Sequence, residues 1–125
     1  MNLTPHRILL VEDDPQVRSL VGRFLKSQGF VMTLAEDGQA GWDAVQEQAF
    51  DLIITDTHLP NLSGPELVEK VRQRHPEQRI MHLTGSSEQL MGKGVYPADV
   101  PQLTKPFDLS ELVRMVSRIL DDGKE

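Results

Sequence analysis

A chain of 125 residues has room for one domain and not for two. Its 38 % hydrophobic and 26 % charged content is that of an ordinary soluble globular chain, and the absence of cysteine excludes disulfides, a thiol nucleophile and thiolate metal sites. A formal net charge of −6, with the basic residues scattered, argues against non-specific nucleic-acid binding and is compatible with a divalent cation. No stretch reaches the roughly 18 apolar residues of a membrane helix and the N-terminus, MNLTPHR, carries no signal-peptide run, so cytoplasmic residence is expected.

His6 and Arg7 lead into Ile8-Leu9-Leu10-Val11, a continuous apolar run of strand length, as in a parallel sheet covered on both faces. It stops at Glu12-Asp13-Asp14-Pro15, where Asp14 can cap the following helix and Pro15 suits its first turn. Val17, Leu20, Val21, Phe24 and Leu25 give that helix a single apolar face, and Gly29 stops it. Phe30 to Ala35 is a weaker, alternating strand, and Asp37-Gly38 turns into a second helix with a small-residue face of Ala40, Ala44 and Val45. Asp51 to Thr55 is a buried strand that ends at a carboxylate, Asp56, just before the turn formers Pro60, Asn61, Ser63 and Gly64. A third helix starts at Ser63 and Pro65, carries Leu67, Val68 and Val71, and ends before His75-Pro76. Arg79 to Thr84 is a fourth strand. Between Gly85 and Pro101 only Glu88–Met91 has helical character, so the fourth helix is expected to be weak or loop-like. Leu103-Thr104 is a short last strand; Asp108 then caps a helix bearing Leu109, Leu112, Val113, Val116, Ile119 and Leu120.

Strict alternation of strands and helices implies a parallel sheet with right-handed crossovers. With too few units for an eight-stranded barrel, the fold class is α/β: a doubly wound, flavodoxin-like five-stranded parallel sheet, strand order 2-1-3-4-5, in a three-layer α/β/α sandwich. In that fold the strand ends share one edge, which gathers Glu12, Asp13, Asp56, Thr84 and Lys105. Three carboxylates without a counter-charge would repel and raise one another's pKa, so a hard cation is expected among them, and so few carboxylates suit Mg²⁺ better than Ca²⁺. Lys105 supplies a point charge and Thr84 a hydroxyl for phosphoryl oxygens. An aspartate nucleophile beside these groups is a set for covalent phosphoryl transfer to carboxylate.

The motifs ILLVEDDP, DLIITDTHLPNLSG, MHLTGS and LTKPF stand in this order at compatible spacing. With them the chain resembles a CheY-like receiver domain of two-component response regulators, one domain over 1–125 with its core at about 6–121. The resemblance implies that Asp56 accepts a phosphoryl group from a phosphohistidine of a sensor histidine kinase or phosphotransfer protein. It implies Asp13 as a direct Mg²⁺ ligand and Glu12 as one acting through a water, with Asp56 and the backbone carbonyl of His58 completing the set. Lys105 would pair with the phosphoryl group, Thr84 would turn toward it, and Gly85 would leave the pocket accessible. Phosphorylation would switch a protein-interaction surface toward a downstream protein. The domain would catalyse only its own phosphorylation and dephosphorylation and would not otherwise be an enzyme, with no direct nucleic-acid or membrane contact; a weak homodimer is compatible with it. The VPQLTKPF segment and the loop-like stretch before it resemble receivers at the C-terminus of hybrid sensor histidine kinases. The family usually has an aromatic residue three positions before the lysine; here that residue is Gln102, a departure that bears on how the switch is read out.

Two other readings fit part of the same residues. An interaction module of this fold that ignores phosphate accommodates Gln102 and predicts partner binding indifferent to a phosphodonor. An aspartate-dependent phosphatase would place a second acid two residues after the nucleophile, where this chain has His58. His58 lies near the site, where its ring can affect phosphoryl lifetime. His6, His75 and His82 have no ligand spacing and read as surface or partly buried residues, and Trp42 reads as partly exposed with no special role.

Overall fold

Five short apolar runs become five parallel strands: β1 (Arg7–Val11), β2 (Val31–Ala35), β3 (Leu52–Asp56), β4 (Ile80–Gly85) and β5 (Gln102–Lys105). The computed structural model describes residues 5–85 and 96–121. The sheet order is β2-β1-β3-β4-β5, as the alternation predicts. The strands are joined through α1 (Pro15–Ser27), α2 (Gly38–Glu47) and α3 (Gly64–Arg74), and α4 (Leu109–Asp121) follows β5. The weak helix expected at Glu88–Met91 lies outside the described residues.

The two-residue period of the strands sorts the core into two layers. Ile8, Leu10, Leu52 and Ile54 face one side, with Val21 and Leu25 of α1 and Leu112, Val116 and Leu120 of α4. Leu9, Val11 and Ile53 face the other, with Val45 of α2 and Leu67, Val68 and Val71 of α3. Helices therefore cover both faces, which is why β1 from Ile8 to Val11 and β3 from Leu52 to Ile54 carry apolar residues at consecutive positions. Each such side chain contributes about 1.5–3 kcal/mol by leaving water. Among the described residues, no helix is long and apolar enough to cross a membrane.

Local signals start the helices where expected. Asp14 caps α1, its carboxylate accepting from the N–H groups of Gln16 at 2.9 Å and Val17 at 3.4 Å. Gly29, at φ 102°, takes the left-handed conformation beyond the end of α1. Leu20 departs from the expected apolar face and is 52 % exposed. Val21 and Leu25 sit one turn apart and centre the buried stripe, flanked by Val17 and Phe24, so Leu20 is rotated off its edge. Trp42 is half-buried as expected, but it has a role: Lys70 and Arg74 of α3 lie 5.3 Å and 5.2 Å from its ring centroid and tie α2 to α3.

Candidate functional site

Parallel register brings the polar strand ends together. Val11 pairs with Thr55 and Asp56 with Leu83, so Glu12, Asp56 and Thr84 leave the sheet at one edge; Gly85 pairs with Lys105 and sets the lysine beside them. Among the described residues, Glu12, Asp13 and Asp56 form one acidic group whose carboxylate oxygens lie within 4.8 Å of one another. Glu12 and Asp56 are buried and Asp13 is exposed.

Lys105 is the counter-charge. Its Nζ donates to Asp56 Oδ2 at 3.1 Å and to Glu12 Oε1 at 3.2 Å, and so bridges the two buried acids. The other oxygens are also held: Asp56 Oδ1 accepts from the Thr57 N–H at 2.9 Å, and Glu12 Oε2 from the Asp14 N–H at 3.1 Å. Burial, followed by the charge of Asp56, pushes the Glu12 carboxyl up to about 7, against the opposing pull of the Asp14 N–H and Lys105. For Lys105 burial acts to lower the pKa, but the charges of Asp56 and Glu12 outweigh it and the ammonium is raised above its ordinary value. The peptide bond between Lys105 and Pro106 is cis.

Thr84 is buried at the end of β4 and its hydroxyl donates to the Gly85 carbonyl at 3.2 Å. It stands one residue beyond the partner of Asp56, on the neighbouring strand. His58 is exposed in the loop after β3. That loop is pinned to the start of α2 through Asp37, which caps Ala40 with Oδ1 at 2.7 Å and receives the Asn61 side-chain amide on Oδ2 at 2.8 Å. Asn61 itself sits at φ 71°. Gln102 opens β5 and is exposed.

Several residues around the site gave no signal in the sequence. Arg18 Nη1 of α1 donates to the Glu12 carbonyl at 2.8 Å, which fixes the turn carrying both Glu12 and Asp13. Tyr96 stacks on His82, with ring centroids 3.9 Å apart, and its hydroxyl reaches the Asp56 main-chain carbonyl at 3.5 Å. His82, read from the sequence as a surface or partly buried residue, is buried at 6 % exposure. The Arg18 contact needs a helical turn to fold back on the strand end. Tyr96 follows a stretch without periodicity, and only the tertiary structure shows what it meets.

A parallel sheet with a buried aspartate at the end of its middle strand, a lysine on that aspartate and further acids beside it defines a class of acidic strand-edge sites. The sequence model of the response regulator receiver domain matches residues 8–117. The chain belongs to this family of two-component receivers. It is 33 % identical over 115 residues to the response regulator receiver protein CpdR of Brucella abortus, covering 91 % of this chain and 96 % of CpdR. It is 36 % identical over 106 residues to the transcriptional activator PfeR of Pseudomonas aeruginosa, where the match covers 85 % of this chain but only 35 % of PfeR. The chain therefore spans about a third of that relative. Among solved structures, the receiver domain of a sensor histidine kinase from Pseudomonas aeruginosa, with a magnesium ion in its active-site cleft, is 30 % identical and superposes with a TM-score of 0.85 over 94 % of this chain and 98 % of that one.

Proposed function

We propose that Asp56 is the phosphoacceptor of this receiver and that Lys105 and Thr84 act on the phosphoryl group it takes. The observation that carries this reading is the sharing of one ammonium, Lys105, between Asp56 and Glu12 within a three-carboxylate group. One positive charge against three acids leaves room for a divalent cation, and the all-oxygen donor set suits Mg²⁺. Glu12, Asp13, Asp56 and the His58 carbonyl are the groups that would hold it. When bound, Mg²⁺ would neutralise the acids and the incoming phosphoryl oxygens.

In the transfer itself an Asp56 carboxylate oxygen attacks phosphorus. The O–P bond forms as the P–N bond to the donor phosphohistidine breaks, and the imidazole leaves with a proton from solvent. Phosphorylation adds about −1.5 to −2 charge at Asp56, which draws Lys105 from its shared position toward the new oxygens. The Thr84 hydroxyl, now on the Gly85 carbonyl, is positioned to turn to the same group. Donors are a sensor kinase or a phosphotransfer protein, and the reader of the switch is a second protein rather than nucleic acid, as the net charge of −6 suggests.

With acetyl phosphate and Mg²⁺, the chain should take one phosphoryl group in an acid-stable, base-labile adduct, and EDTA should abolish labelling. Asp56→Asn should not label. Equal labelling of Asp56→Asn and the parent would sink the assignment. Turnover of a phosphate ester far beyond labelling stoichiometry would point instead to a phosphatase.

A further inference from the structure

Tyr96 touches both strands whose ends carry the site. Its ring lies on His82 of β4, two residues before Thr84 and so on the same face of that strand. Its hydroxyl reaches the main-chain carbonyl of Asp56, the last residue of β3. This approach is open only because residue 64 is glycine: a Cβ there would collide with the Asp56 carbonyl oxygen and with the Tyr96 hydroxyl. The hydroxyl thus occupies a notch walled by the backbone of the phosphoacceptor strand.

The same side chain forms part of a surface. With Pro97 it lines one wall of a groove of about 600 Å³, whose other wall is α3, including Val68, Glu69 and Arg72. The segment behind Tyr96 is anchored a second time. Arg72 grips Asp99 through both guanidinium Nη atoms, at 3.3 Å and 3.0 Å, and donates Nε to the Gln78 carbonyl at 3.0 Å. That ion pair holds the Asp99 carboxyl below the usual carboxylate range. Tyr96 and Asp99 thus tie the segment to β3 at one point and to α3 at another.

The hydroxyl contact, at 3.5 Å, is longer than a relaxed O–H···O bond of about 2.7–2.8 Å. A small shift of the Asp56 backbone either shortens it to a full hydrogen bond or breaks it, so this contact is sensitive to the position of the Asp56 carbonyl. We propose that Tyr96 is the positioning residue that couples the state of Asp56 to the groove along α3, by carrying displacement of the Asp56 carbonyl into the groove wall. This rests on Asp56 being the phosphoacceptor. It gives the readout a route through an aromatic side chain six residues before Gln102, which is itself exposed.

The test compares the full chain with Tyr96→Phe and Tyr96→Ala by amide NMR, before and after acetyl phosphate and Mg²⁺, with the adduct followed by intact mass. Tyr96→Phe keeps the ring on His82 and should match the parent in melting temperature and label within about twofold of its rate. The phosphorylation-induced shifts of Val68, Glu69 and Arg72 should fall by at least half in Tyr96→Phe and further in Tyr96→Ala. Groove shifts in Tyr96→Phe equal to those of the parent would overturn the coupling role while leaving the phosphoacceptor intact. A parent chain that takes no adduct would contradict the phosphoacceptor reading itself, and the proposal with it.

Discussion

Lys105 holds two buried carboxylates, Glu12 and Asp56, with one ammonium, and burial raises the pKa of Glu12. Its pKa, raised from 4.5 to about 7, means that folding strengthens the hold of Glu12 on its proton. The stabilising contribution of that proton is complete below about pH 4.5 and is lost as pH rises through about 7. A cation that needs the ionised carboxylate must displace the proton, so binding strengthens over the same range. Mg²⁺ at a fixed millimolar concentration should therefore raise the melting temperature more at pH 8 than at pH 6. Equal gains at the two pH values would contradict the competition. The lysine's own contribution persists through this window, because its pKa is raised and its charge is lost only in strong alkali.

At the scale of elements, the join between β3 and α3 does most to shape the site. Ser63 and Glu66 close a capping box, with Glu66 N–H to Ser63 Oγ at 3.2 Å and Ser63 N–H to Glu66 Oε1 at 3.0 Å. Gly64 follows at once, its N–H on the Thr57 carbonyl at 3.0 Å, so the helix starts directly behind β3. Ser63→Ala should cost about 1 kcal/mol through the lost cap and leave labelling unchanged. Gly64→Ala should fall at the top of the about 1–3 kcal/mol range for overpacking, because the Asp56 backbone and Tyr96 must both move. It should also slow labelling. Urea denaturation and adduct formation on the two variants check this, and a Gly64→Ala as mild as Ser63→Ala would be inconsistent with the close approach.

For the molecule as a whole, the sheet and the acidic edge were legible because they rest on short-range rules. Ile8–Val11 and Leu52–Ile54 are apolar at every position, as the strands of a doubly covered parallel sheet are, and an acid follows each run, Glu12 directly and Asp56 after Thr55. Strand alternation then brings Lys105 to the same edge without any sequence proximity to Asp56. What was not legible depends on side-chain direction across long separations. Leu20 fits the spacing of α1 but lies just off the stripe that Val21 and Leu25 define. His82 sits within an apolar strand, and its ring stacks on Tyr96, which comes from a stretch without periodicity. Trp42 is held by two cations from another helix, a contact that its own helix does not announce. The acidic edge is thus written in the strand ends, and the Tyr96 and Trp42 contacts only in the tertiary structure.

On the proposed function, the phosphoryl group enters at Asp56 and at no other residue. Borohydride reduction of the adduct, followed by peptide mapping, tests it most directly, because reduction converts a phosphorylated aspartate to homoserine and leaves free aspartates untouched. Homoserine should appear at position 56 alone, and only after treatment with phosphodonor and Mg²⁺. Homoserine at Asp13 or another aspartate, or at no position despite a phosphoryl adduct on the intact chain, would contradict the account.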